Sequence, residues 1–144
     1  MLVSQILKSK SDTSIVTVKP GVLVSEAAKI LSDRGIGTVL VSTDGKTADG
    51  ILSERDIVRQ IGARGATCLG DKVSDYMTSK LITCSKSDQA DAILQQMTKG
   101  RFRHMPVIED GELVGLISLG DVVKARLEEL SMEKNALEGM IMGH

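Results

Sequence analysis

The chain has 144 residues and 15.4 kDa, with a net charge of −1 from 18 basic and 19 acidic residues, and 42% of it is hydrophobic. That is enough for one domain or two very small ones around an ordinary core, and the balanced charge offers nothing to nucleic acid or an anionic membrane. No apolar run approaches the ~20 residues that span a bilayer, and Met1 to Lys10 lacks the apolar centre and cleavage site of a signal peptide, so a soluble cytoplasmic protein is expected.

Tyr76 and Phe102 are the only aromatic residues, so the core must be aliphatic and no tryptophan exists to stack on a base. Cys68 and Cys84 have neither CxxC spacing nor neighbouring histidines, since the histidines are His104 and His144. They read as buried free thiols, and no metal site is expected.

Taken in order, Val3 to Leu7 (VSQIL) is a short helical lead-in that returns 70 residues later as Val73 to Met77 (VSDYM). Ile15 to Val18 and Leu81 to Cys84 are β-rich stretches with Thr17 and Thr83 66 residues apart. After the Pro20-Gly21 turn, Val24, Ala27, Ala28 and Leu31 lie at i, i+3, i+4 and i+7, and the same shift gives Ala90, Ile93, Leu94 and Met97. Two helices with equivalent buried faces are therefore predicted. Gly35 and Gly100 are placed to end them, ahead of strands at Thr38 to Ser42 and His104 to Ile108. Asp44-Gly45 and Asp110-Gly111 read as matched hairpin turns.

The closing segments, Gly50 to Val58 (GILSERDIV) and Gly115 to Val123 (GLISLGDVV), are a strand running straight into a helix. Ser53 and Asp56, like Ser118 and Asp121, fall on the first helical turn, where free N–H groups and the dipole suit an anion. The Ser-x-x-Asp pattern fits a capping box. It fits equally a serine hydroxyl directed at phosphate and a carboxylate that accepts from both hydroxyls of a ribose. Because strand, helix, turn and strand-helix repeat in one order, internal duplication follows. Each copy is a βαββα unit too small to bury its sheet alone, so the two are expected to pack about a pseudo-twofold axis in an α+β fold. The expected boundaries are 1–64 and 65–126, with glycine-rich Gly62 to Gly70 as connector and 127–144 as a C-terminal helical extension.

MTSKLITC, GRFRHMPVIEDGELVG, GILSERDIV and GLISLGDVV resemble a tandem pair of cystathionine-β-synthase (CBS) domains, or Bateman module, over about Met1 to Arg126. That resemblance implies a disc with two clefts that bind adenosine-containing ligands such as AMP, ATP, NAD(H) or S-adenosylmethionine, with no other cofactor required. It assigns Asp56 and Asp121 to the ribose, and Ser53 and Ser118 to phosphate. Thr17 and Thr83 are assigned to the strand whose backbone reads the adenine edge, Thr38, Met105 and Pro106 to the walls, and Arg103 and His104 to phosphate across the disc. Arg103 and His104 correspond to Gly37 and Thr38, and Arg55 to Gly120, so the clefts cannot be chemically equivalent. Near phosphate, His104 is expected to be protonated. Of Arg101 and Arg103, which flank Phe102, one is expected to face solvent.

In the tail, Leu127, Leu130, Leu137 and Ile141 keep a heptad rhythm interrupted by Lys134, and Gly139 weakens the last turn. The helix either folds back on its own module or meets a second copy, and CBS pairs commonly form dimeric discs, so a homodimer is expected. Function divides three ways: a stand-alone regulatory module that senses a nucleotide and signals to a partner protein, a nucleotide-processing enzyme, or a scaffold with empty clefts. A Walker phosphate loop, a metal cluster and an obvious nucleophile-base pair are all absent from the sequence, which favours the first.

Overall fold

A computed structural model describes residues 1–10 and 15–141, and His144 lies outside the described residues. The first half comprises α1 (Val3–Ser9), β1 (Thr17–Val18), α2 (Val24–Arg34), β2 (Thr38–Val41), β3 (Gly50–Ser53) and α3 (Glu54–Arg64). The second comprises α4 (Val73–Tyr76), α5 (Ala90–Gly100), β4 (His104–Glu109), β5 (Glu112–Ser118) and α6 (Leu119–Ile141). β1 pairs parallel to β2, and β2 antiparallel to β3; β4 and β5 form a separate antiparallel pair. The predicted helical faces are inside: Val24, Ala27 and Leu31 in one core, Ala90, Ile93 and Met97 in the other.

The two lead-ins are exchanged. Val3 and Ile6 of α1 lie in the core of the second half with Met97, Val107 and Ile117, while Val73 of α4 lies in the core of the first with Val24, Val39 and Leu52. Backbone bonds fix both crossings: Val3 N–H to Asp88 O at 2.9 Å, and Val73 N–H to Val22 O at 2.8 Å. Equivalent residues make equivalent bridges, Leu2 with Gln89 and Lys72 with Leu23, which is the signature of an approximate twofold relation. This exchange explains the glycine that opens each closing strand. A Cβ at Gly50 would lie 2.6 Å from Met77 Sδ, and one at Gly115 would lie 2.8 Å from Leu7 Cδ2. Each glycine is where the other half's lead-in presses on the strand.

Four local expectations are corrected. Leu81 to Cys84 is not a strand: it makes one parallel bridge, Cys84 with Val107. In the first half Leu40 N–H donates to Val16 O at 3.0 Å, but the equivalent residue in the second half is Pro106, which has no N–H to give to Ile82. The ladder stops there. The stretch 62–70 is not an open connector, because α3 continues to Arg64 and a 3₁₀ turn occupies Ala66–Gly70, with Gly65 at φ 75° between them. Asp110 (φ 52°) and Gly111 (φ 79°) form the expected two-residue turn between Glu109 and Glu112. Asp44-Gly45 does not: its carboxylate instead organises the β2–β3 loop by accepting from the N–H groups of Lys46 and Thr47 at 2.8 and 2.9 Å. Those bonds hold the Asp44 carboxyl down at about 2.

Finally, the left-handed residue that caps α5 is Arg101 and not Gly100. Arg101 adopts φ 57°, ψ 39°, nearly the conformation of Gly35 (φ 62°, ψ 37°) at the end of α2. Gly100 is needed for a different reason, since a Cβ there would lie 2.6 Å from the Phe102 ring. Strand alternation therefore does not govern Arg101, because β4 begins only at His104. Cys68 and Cys84 are both buried free thiols, and burial pushes the Cys84 thiol up to about 12.

Candidate functional site

Both halves contribute to a central seam. Thr38 of β2 is buried, and its Oγ1 lies 3.0 Å from Nδ1 of His104, the equivalent residue of β4. Two clefts open on either side of this pair. The first, about 260 Å³, is lined by Lys10, Val16, Arg34, Ile36, Leu116 and Ser118 among others. The second, about 290 Å³, contains Ser53, Glu54, Arg55, Asp56, Arg59, Arg101, Phe102 and Arg103. An apolar slot of about 140 Å³, with Leu81, Ile82 and Pro106, shares Ile51, Thr78, Phe102 and His104 with the second cleft. These volumes sit at the lower end of the range of a few hundred Å³ that is usual for small-molecule sites.

The capping and ligand readings of Ser-x-x-Asp use different oxygens of the same carboxylate. Ser53 donates to Asp56 Oδ2 from N–H at 2.8 Å and from Oγ at 2.9 Å, while Asp56 N–H donates back to Ser53 Oγ at 3.2 Å. The cap is therefore formed and Oδ2 is fully engaged. Oδ1 has only Arg59 Nη1 at 3.5 Å, and that arginine is 72% exposed, so the contact is weak and displaceable. One oxygen with two lone pairs remains for the cleft.

Asp121 is held differently. Ser118 N–H donates to its Oδ2 at 2.8 Å, and Lys10 Nζ stands 2.9 Å from the same oxygen while also donating to Leu116 O at 2.9 Å. Burial alone would raise the Asp121 carboxyl, but the Ser118 N–H and Lys10 outweigh it and keep the group below its ordinary value. Lys10 and Ser118 line the first cleft, yet Asp121 itself is behind them. Its carboxylate already has a cation.

Other predicted residues divide by position. Thr38, Ser53, Arg55, Asp56, Arg103 and His104 line the second cleft, and Pro106 lines its slot. Thr17 lies instead in a shallow depression with Ser42 and Asp44, and Thr83 is exposed. In each half the residue before the threonine, Val16 or Ile82, lines the cleft, because a one-residue step along an extended chain reverses the side chain. Met105 is fully buried in the second core, pointing away from the cleft that its neighbours His104 and Pro106 face. Phe102, Ile82, Arg59 and Lys10 were not among the expected site residues. Ile36 and Phe102, and Val16 and Ile82, are matched by the 66-residue shift, so the repeat itself carried that signal.

In the ligand-free protein the surroundings of His104 favour its neutral form. Burial, the largest influence, pushes its pKa below 6.5; Asp121 opposes this, while Lys10 and Arg103 reinforce it. Because the unfolded state binds the proton more readily, the stabilising contribution is complete above pH ~6.5 and is lost as pH falls towards the folded-state value.

The CBS domain profile matches residues 3–63 and 73–128. The CBS domain-containing protein CBSX3, mitochondrial, of Arabidopsis thaliana is 34% identical over 98% of this chain and 72% of its own length. The crystal structure of the CBS-domain containing protein ATU1752 from Agrobacterium tumefaciens is 42% identical, with a TM-score of 0.82 over 88% of this chain and 99% of that one. The CBS domain pair of protein MJ0100, solved with 5′-methylthioadenosine and S-adenosyl-L-methionine, shares the fold at 23% identity and a TM-score of 0.76, covering 90% of this chain and 98% of that one. Two matched repeats, exchanged lead-ins and a shared polar seam agree with these likenesses: the chain belongs to the CBS-domain family, as a tandem pair of repeats with a C-terminal helix.

Proposed function

We propose that this protein is a stand-alone regulatory module that binds an adenine nucleotide in the second cleft and conveys its occupancy to a partner protein. The observation that carries this reading is the second cleft and its adjoining slot, which share Ile51, Thr78, Phe102 and His104 and offer three chemistries. Phe102, Ile82 and Pro106 supply an apolar slot for the base, Asp56 Oδ1 an acceptor for the ribose hydroxyls, and Arg55, Arg103 and His104 the cations for phosphate. Pro106 also withholds a donor from the Ile82 carbonyl, leaving that oxygen for an adenine amino group. The adenosine ligands of the MJ0100 pair are in keeping with this reading. The first cleft is proposed as the weaker site, because a ribose there must displace Lys10 from Asp121.

Thermal denaturation with AMP, ATP, NADH and S-adenosylmethionine tests the reading, since a ligand that binds only the folded state raises the melting temperature. No shift with any of them at millimolar concentration contradicts it. ATP recovered intact after long incubation is the expected outcome; product formation would favour the enzymatic alternative.

A phosphate beside His104 raises its pKa from the depressed ligand-free value, so binding takes up a proton between the ligand-free and bound-state values and affinity increases as pH falls through the bound-state value. Calorimetry in two buffers of different ionisation enthalpy should show that uptake in the native protein and not in His104→Gln.

The dimer is proposed to form through α6. This helix runs unbroken to Ile141 and leaves Leu127, Leu130, Leu137 and Ile141 between 48% and 84% exposed. A parallel pairing would set Lys134 against its own copy, whereas an antiparallel one places it against Leu130 and brings Lys124 near Glu138. Sedimentation equilibrium should report a dimer that becomes a monomer in Leu130→Glu/Leu137→Glu. A dimer that persists in that variant would place the contact elsewhere. Among the described residues no helix is long and apolar enough to cross a membrane.

A further inference from the structure

We infer that Arg101 belongs to a second phosphate subsite in the second cleft, which makes this cleft selective for nucleoside di- and triphosphates over monophosphates; the inference rests on the nucleotide reading above and goes beyond it. Two independent observations support it. The first is where the duplication has diverged. Arg55, Arg101 and Arg103 all line the second cleft, and their equivalents in the other half are Gly120, Gly35 and Gly37. Three guanidinium groups thus line one cleft at positions where the other half has glycine, against Arg34 and Lys10 on its twin, of which Lys10 is already paired with Asp121. With Arg59 the three outnumber Glu54 and Asp56, and of these four arginines only Arg59 has a carboxylate of the described residues within 4 Å. One phosphate accommodates Arg103 and His104 at the seam; Arg55 and Arg101, exposed on the same cleft, can take further anionic oxygens.

The second observation is conformational. Arg101 occupies the left-handed region at φ 57°, where glycine is comfortable and an L-residue is strained, and Gly35 shows that this helix end accepts glycine with the same geometry. A residue that keeps a strained backbone at the rim of a cleft is retained for its side chain. Glycine in its place should therefore strengthen the empty protein and weaken only the polyphosphate complex. A merely structural role predicts the reverse for stability.

The test is calorimetric titration of the full chain with AMP, ADP and ATP at fixed ionic strength and without divalent cations, for the native protein, Arg101→Gly and Asp56→Ala. The expected result is that the native protein binds ATP at least about tenfold more tightly than AMP, from the strength of charge-assisted hydrogen bonds. Arg101→Gly should bring that ratio below about threefold, with AMP affinity unchanged and a higher melting temperature without ligand. Equal losses for AMP and ATP, or an unchanged ratio, overturn the inference. Asp56→Ala should weaken all three nucleotides alike, and no loss there removes its ribose assignment; if the native protein binds none of the three, the nucleotide reading itself fails, whatever Arg101→Gly does.

Discussion

Asp56→Ala should lower adenine-nucleotide affinity about ten- to a hundredfold, the equivalent of roughly 1.5 to 3 kcal/mol for hydrogen bonds to a charged acceptor. The carboxylate is divided between two tasks: Oδ2 closes the cap of α3, and Oδ1 has, among the described residues, only an exposed arginine near it. The same change removes a capping interaction, at a cost of about 1 kcal/mol in stability. Asp56→Asn separates the two effects, because its amide keeps one oxygen for the cap but loses the charge. Asp121→Ala should have a smaller effect on affinity, since Lys10 already holds that carboxylate and would itself be released. Equal losses in the two variants would show that both clefts bind, and no loss in Asp56→Ala would remove the ribose assignment. Titration calorimetry at one ionic strength decides among these, because charged contacts in an open cleft weaken with salt.

Ile6→Ala should destabilise the protein by about 2 to 5 kcal/mol, the range for removing a large buried aliphatic side chain. Ile6 is 2% exposed, and it lies at the N-terminal end of the chain in the core of the C-terminal half. Its effect should therefore appear far from it in sequence: hydrogen exchange should accelerate first in β4 and β5, and later in β2 and β3. A loss confined to residues near the N-terminus would contradict the exchange of lead-ins. By the same geometry, Gly50→Val should cost several times more than an exposed substitution, because Met77 and the Thr78 carbonyl leave no room for the added atoms. Urea titration of both variants measures these effects directly.

Much of this architecture was legible because the chain states it twice. The spacing of Val24, Ala27 and Leu31 recurs in Ala90, Ile93 and Met97, and both faces are buried as periodicity requires. What escaped depended on single atoms or on contacts between halves. The missing N–H of Pro106 ended a ladder that the β-branched content of Leu81 to Cys84 favoured. Gly100 looked like a helix stop, but Phe102 needs the space beside it and the left-handed turn fell to Arg101. The lead-in exchange had no local sign, since VSQIL and VSDYM are compatible with either core.

The site was half legible for a similar reason. The Ser-x-x-Asp pairs identified the right helix starts, yet the same pattern satisfies a cap, and both caps are in fact made. The side chains of Thr17, Thr83 and Met105 lie outside the clefts because an extended chain reverses direction at every residue, so an assignment to a strand does not fix a face, although it leaves a backbone role open. Lys10 lies more than a hundred residues from Asp121, and no local pattern could have paired them.

The measurement closest to the central claim removes the ribose hydroxyls and the Asp56 carboxylate separately and together. Affinities of the native protein and Asp56→Ala for ATP and for 2′,3′-dideoxy-ATP form a double-mutant cycle. If Asp56 Oδ1 grips the diol, each single change weakens binding about tenfold or more and the two together weaken it little further. Fully additive losses, or a dideoxy nucleotide that binds as tightly as ATP to the native protein, would contradict the account.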